Sequence, residues 1–229
     1  MAIHILTTGA TRGIGAACRA AFEARDDVLH WGAGSADGDL STAQGADRVW
    51  QAALERLDGR IDVLVNNAGI FEAQALDCDD WLAGWERTMA INLTASAQLC
   101  RHAVLAWQAA GTGGRIVNVA SRAAHRGDSP EHWHYAASKG GMVAMTKTIA
   151  RGYAGEGILA FAVCPGFTQT GMAEDYVESR GGNKLLADIP LGRVASGEEI
   201  AEIVRFCSLD APASMTGAVL DANGASYVR

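Results

Sequence analysis

The feature that most restricts the fold is an alternation. Short, continuously apolar and partly β-branched runs at 3–6, 28–31, 61–65, 116–120, 158–164 and 218–220 are separated by helix-like stretches at 13–25, 43–57, 85–109, 135–152 and 197–209. A strand wetted on one face alternates apolar with polar side chains, whereas an unbroken apolar strand is covered on both faces. The order therefore predicts an α/β fold: one doubly wound, Rossmann-type parallel sheet with helices on both faces. Right-handed crossovers then bring the site to the carboxyl ends of the strands. Ser196 followed by Glu199 is a capping-box pattern at the start of the last helix. No break in composition divides the 229 residues, so a single domain over 1–229 is expected.

One connection is too short. Residues 32–42, with glycines at 32, 34 and 38 and no apolar period, are all that separate the second strand from the next helix. A parallel crossover needs about a dozen or more residues, usually helical. One crossover helix and one edge strand are expected to be missing after strand 2.

Composition excludes several classes. The formal charge is −7 and the 19 Lys and Arg are scattered, which argues against nucleic acid and anionic membrane as partners. No apolar run reaches the ~18 residues of a membrane span. The first residues lack the basic region and cleavage site of a signal peptide. Five cysteines at wide spacings (18, 78, 100, 164, 207), with no Cys-x-x-Cys, read as reduced thiols in a cytoplasmic protein without a metal site.

The chemistry begins at Thr8-Gly9-Ala10-Thr11-Arg12-Gly13-Ile14-Gly15, which follows the first strand and opens a helix. Glycines there let the backbone turn sharply and a pyrophosphate approach. The helix amino end supplies free N–H groups and partial positive charge. Further along stand Asn66-Asn67-Ala68-Gly69 after a strand, Asn92 in Ile-Asn-Leu, and Ser121 at a strand end. Tyr135-Ala-Ala-Ser-Lys139 lies on a helix, Pro165-Gly166-Phe167-Thr168-Gln169-Thr170 ends a strand, and Ile189-Pro-Leu-Gly-Arg193 precedes the last helix. With its Gly-x3-Gly-x-Gly loop, the chain resembles the short-chain dehydrogenases/reductases from about Ile3 to Arg229, with 3-oxoacyl-thioester reductases as the nearest named class.

Tyr135 and Lys139 are four apart and share a helix face. A phenol has an ordinary pKa near ~10. An ammonium at about 4 Å contributes roughly 4 kcal/mol at an effective dielectric of ~20, enough with an oxidised nicotinamide to bring the phenol toward neutrality. The resemblance implies Tyr135 as general acid/base, Ser121 holding the substrate oxygen, and Asn92 supporting a water that relays protons from Lys139. It implies a cofactor site at Gly9, Thr11, Arg12, Gly13, Ile14, Gly15, Asp39, Leu40, Asn67, Ala68, Gly69, Tyr135, Lys139, Pro165, Gly166, Thr168 and Thr170. The end of the second strand carries no acid before Asp37, and Arg12 lies in the phosphate loop, so NADP is expected, with NAD as the alternative.

The expected reaction is hydride transfer between a nicotinamide and a small-molecule ketone, aldehyde or secondary alcohol. Dehydration or epimerisation without net redox, and nucleotide sensing without turnover, are the alternatives. Arg122, His125, Arg126, Asp128, Glu131, His132 and His134 crowd the stretch before Tyr135 and suit either a polar or anionic substrate or a solvated loop. His132-x-His134 has no evident third metal ligand. Residues 171–188 read as a lid. Small residues on the helices at 85–109 and 135–153 permit close helix packing, and the resemblance implies that these helices build a homodimer or homotetramer. Trp107 and Met145 fall to that contact or to the core, and the 221–229 tail to subunit contacts or the substrate pocket.

Overall fold

The computed structural model describes residues 2–169 and 186–229. Six parallel strands form one sheet in the order β2-β1-β3-β4-β5-β8: β1 (Ile3–Thr8), β2 (Val28–Ala33), β3 (Val63–Asn66), β4 (Gly114–Val119), β5 (Ile158–Pro165) and β8 (Val219–Ala222). A two-residue pair, β6 (Thr168–Gln169) with β7 (Ala195–Ser196), stands apart.

Neighbouring residues of one strand feed opposite faces, which is why the strands are apolar throughout. Leu6, Leu64, Ile116 and Ile158 pack beneath α2 (Gly45–Arg56), α4 (Ala95–Ala110) and α6 (Trp133–Tyr153). Ile5, Val63, Val65, Val117 and Phe161 pack beneath α1 (Gly13–Glu23) and α7 (Gly197–Arg205). Trp107 belongs to the first of these cores, its indole N–H donating to the Ile61 carbonyl at 2.7 Å. Met145 is partly buried against the same layer.

Residues 34–44 form neither strand nor helix, and β2 has β1 as its one strand neighbour. The connection folds on itself instead. Thr42 N–H donates to the Asp39 carbonyl and Gly45 N–H to that of Thr42, and a Cβ at Gly45 would collide with the Asp39 carbonyl. The missing crossover helix and edge strand are thus as expected.

Two helices differ from expectation. The stretch expected at 85–109 starts earlier, with α3 (Trp81–Met89), and a π-helical turn (Ala90–Thr94) joins it to α4. Likewise α7 ends at Arg205 and passes into a π turn over Phe206–Asp210. Such bulges appear mostly as single turns inside α-helices. At the start of α7 the capping box forms: Glu199 N–H donates to Ser196 Oγ at 3.2 Å, and Ser196 N–H to Glu199 Oε2 at 2.8 Å. No described helix is long and apolar enough to cross a membrane.

Candidate active site

At the carboxyl ends of the strands lies a cleft of about 1310 Å³. The loop after β1 forms one end. Gly9 and Gly13 adopt left-handed φ of 66° and 55°, where other residues are strained. A Cβ on Gly15 would run into the Gly9 carbonyl. Asn67, just past β3, pins the loop by donating from Nδ2 to the carbonyls of Thr8 and Gly9, both at 3.0 Å. In return Thr8 Oγ1 accepts from the N–H groups of Asn67 and Ala68 at 3.1 Å. Ala10 N–H binds the Ala33 carbonyl and ties the loop to β2.

Gly9, Thr11, Arg12, Gly13, Ile14, Gly15, Asp39, Leu40, Asn67, Ala68, Gly69, Ser121, Tyr135, Lys139, Pro165, Gly166 and Thr168 all line this one cleft. Thr170 lies outside the described residues, as does most of the expected lid at 171–188. Of the polar stretch before Tyr135, Arg122, Asp128 and His132 reach the cleft, whereas His125, Arg126, Glu131 and His134 do not line it.

Ser121 lies two residues past β4, its Oγ accepting from Ala123 N–H at 3.1 Å. Tyr135 sits in the first turn of α6, its ring edge-on to Phe71 at 4.7 Å. Lys139, one turn on and buried, donates from Nζ to the Val119 carbonyl at 2.8 Å. Its Nζ stands 5.8 Å from the Tyr135 ring centre. Burial dominates and pushes Tyr135 up to about 12, against the lowering effect of the Ser121 hydrogen bond. Burial also pulls Lys139 down to about 8.

Asn92 lies one layer behind the cleft, in the π turn, fully buried. Its Oδ1 accepts from Ile70 N–H at 2.8 Å, and its Nδ2 donates to the Ile70 carbonyl at 3.0 Å and to Ser138 Oγ at 3.3 Å. That side chain is committed to protein groups. A Cβ on Gly69 would come within 3.3 Å of Asn92 Oδ1 and 3.5 Å of Lys139 Nζ.

The sequence reading missed several lining residues. Phe71 stacks on His132 at 4.0 Å, and Arg87 is locked to Glu72 at 2.6 Å. Phe167 carries the Arg122 guanidinium 4.6 Å above its ring. These contacts join segments far apart in sequence and carry no local signal. His132 and His134 stack at 6.3 Å, and among the described residues the metal-ligand cluster of three is a different one, His125, Cys164 and Asp221. The 221–229 tail lines a separate cavity of about 600 Å³ and abuts the cleft, where a Cβ on Gly166 would sit 2.8 Å from Asn223 Cβ.

Comparison with known proteins gives concordant matches. A family described as enoyl-(acyl carrier protein) reductase matches residues 26–224. A 3-oxoacyl-[acyl-carrier-protein] reductase of Synechocystis is 35% identical over 96% of this chain and 94% of its own. D-threitol dehydrogenase of Mycolicibacterium smegmatis is 33% identical over 98% and 92%. Among solved structures, a variant of actinorhodin polyketide ketoreductase with NADPH superposes with a TM-score of 0.85 at 27% identity, covering 97% of this chain and 96% of that one.

Proposed function

The chain belongs to the short-chain dehydrogenase/reductase family of NAD(P)-dependent oxidoreductases acting on CH–OH groups, and we propose that it interconverts a small ketone or aldehyde with its alcohol, using Tyr135 as general acid/base. The observation that carries this reading is the meeting of Ser121, Tyr135 and Lys139 in the cleft that the glycine loop opens. We read the whole chain as one dinucleotide-binding domain that works as a small homo-oligomer.

The cleft fits a dinucleotide. Side chains at Gly9, Gly15 and Gly34 would close in on Ala68, the Gly9 carbonyl and Thr11, so the cradle exists because those positions are bare. The residues that would hold it are those of the β1–α1 loop, Asn67–Gly69 and Pro165–Thr168, with Asp39 and Leu40 at the far end. When bound, the dinucleotide supplies or accepts the hydride.

The chain's own groups do the rest. Ser121 Oγ holds the substrate oxygen. Tyr135, kept protonated by burial, gives that oxygen its proton as the carbonyl is reduced. Lys139, with its pKa drawn down to about 8, loses and regains a proton near neutral pH and restores the phenol. Asn92 is a positioning residue: it fixes both backbone groups of Ile70 and thereby the Gly69 turn beside Lys139.

NADP is the preferred form in this reading. The two acids near the end of β2 are used locally: Asp37 accepts from Gly34 N–H at 2.8 Å and Asp39 from Ser41 N–H at 2.9 Å. Arg12 faces the cleft and makes no ion pair with another described residue.

The test is Tyr135→Phe, assayed by nicotinamide absorbance against a panel of carbonyls and alcohols. Turnover should fall by about 10²–10⁴-fold while dinucleotide affinity, read by fluorescence, is retained. Near-normal turnover in the variant would remove Tyr135 from the mechanism.

A further inference from the structure

Three ligating side chains meet beside the cleft without lining it. Cys164 lies near the end of β5 and is fully buried. Asp221 is its paired neighbour across the β5–β8 ladder. His125 comes from α5 (Ala123–Arg126), the short helix that follows β4. His125 Nε2 stands 3.7 Å from Cys164 Sγ and 3.9 Å from Asp221 Oδ1, and the three ligand atoms lie within 4.8 Å of one another.

These separations suit a small tetrahedral ion. Zinc bonds of ~2.3 Å to sulfur and ~2.0–2.1 Å to nitrogen or oxygen put neighbouring ligand atoms about 3.3–3.6 Å apart. The His125–Cys164 edge needs to contract by about 0.2 Å, the His125–Asp221 edge by about half an ångström, and the Cys164–Asp221 edge, which is within 4.8 Å, by up to about 1.2 Å. A nucleophile relay is a poorer fit. Thiol and carboxylate both face the same imidazole nitrogen, whereas a relay places the acid on the other one.

The surroundings are those of a supported ligand set. Asp221 Oδ2 accepts from Arg229 Nε at 2.9 Å, leaving Oδ1 turned to His125, and Arg229 is itself bonded to the Val219 carbonyl. The His125 ring lies parallel to Tyr227, 5.6 Å away with 6° between the planes. Outer contacts of this kind fix the orientation of metal ligands. Asp221, Tyr227 and Arg229 also line the cavity of about 600 Å³ beside the tail, which gives an entry path and room for a fourth ligand.

We propose that His125, Cys164 and Asp221 form a binding site for a borderline-soft divalent transition-metal ion, with zinc as the best match and the fourth position open to the cavity. Thiolate and imidazole together select against magnesium and calcium, which take oxygen ligands. Sulfur binds such an ion as the thiolate. Binding therefore releases one proton from Sγ to solvent and strengthens as pH rises. The bound ion would tie α5 to the β5–β8 edge, directly behind Pro165 and Gly166.

The test is titration of the chelator-stripped chain with Co²⁺ and Zn²⁺. The wild type should take up one equivalent. Co²⁺ should give a thiolate charge-transfer band and the visible bands of a tetrahedral ion, and Zn²⁺ should displace it with release of a proton. Cys164→Ser should abolish the charge-transfer band and weaken binding by about 100-fold or more, and Arg229→Gln, through Asp221, by about tenfold. Should Cys164→Ser fail to fold, Asp221→Asn, at a more exposed position, carries the same prediction of weakened binding. No stoichiometric uptake by the wild type, or uptake unchanged in Cys164→Ser or Asp221→Asn, would overturn the site.

Discussion

The Lys139 ammonium donates a 2.8 Å hydrogen bond to the Val119 carbonyl and stands 5.8 Å from the centre of the Tyr135 ring. It is a buried cation with no carboxylate partner among its perturbing neighbours, and burial draws its pKa from 10.5 to about 8. Between those two values the unfolded chain holds more protons than the folded one, so this group makes stability rise with pH across that window. Below pH 8 its destabilising effect is fully present. Lys139→Met should therefore be more stable than the wild type at pH 7, with the gap closing toward pH 10.5, while turnover is lost. Melting temperatures of both proteins across that range are the check. A variant less stable than wild type at pH 7 would contradict the account.

His30 makes the corresponding case in acid. Its ring is stacked on Phe22 at 5.4 Å, with Nε2 3.0 Å from Thr7 Oγ1. Burial lowers its pKa from 6.5 to about 4, against the raising effect of Glu23. The unfolded chain takes up this proton as pH falls through 6.5, while the native state resists until about 4. Stability present above pH 6.5 is lost between those values. His30→Gln should flatten that part of the profile, as measured by urea midpoints at pH 7, 6, 5 and 4.

Asn67 is the lock of the phosphate loop, since its two donors serve the carbonyls of Thr8 and Gly9. Asn67→Ala leaves both carbonyls without those partners, at a cost of about 1–3 kcal/mol. Loop order feeds directly into dinucleotide affinity, so the dissociation constant should rise about tenfold or more. Calorimetric titration of the dinucleotide, with thermal melts of the free protein, separates the two effects.

What the sequence revealed follows from the range of each interaction. The strands were readable because neighbours such as Ile5 and Leu6 are both buried, on opposite faces. The shortened 34–44 connection was readable from chain length alone. The glycine loop was readable because Gly9 and Gly15 are bare for a backbone reason: a Cβ on either would meet Ala68 or the Gly9 carbonyl. The π turn at Asn92 was not, because no residue type in Ala90–Thr94 marks it. Nor were the Phe71–His132 stack and the His125–Cys164–Asp221 cluster, which sheet topology brings together from distant segments. Four-residue spacing fixes a shared helix face but not where a long lysine side chain ends. Lys139 reaches past Tyr135 to the backbone of β4.

Cofactor choice gives the last prediction. Near the end of β2 the cleft is lined by Ala33, Gly34 and Ser35, with Arg12 across from them on the phosphate loop. A ribose diol is best held by a carboxylate. Here Asp37 is turned to Gly34 N–H and Asp39 to Ser41. On the proposed NADP reading, a 2′-phosphate would meet no free acid among these residues and would gain a guanidinium, an interaction of about 1.5–3 kcal/mol for a charged hydrogen bond. Arg12→Ala should thus lower the NADP-over-NAD ratio of kcat/KM by roughly 10–100-fold, mostly through KM for NADP, and Ser35→Asp should lower it further by repelling the phosphate. An unchanged ratio in Arg12→Ala would show that the phosphate is recognised elsewhere, or that NAD is the working cofactor. Michaelis constants for both dinucleotides distinguish these outcomes, because in the second case the wild type already favours NAD.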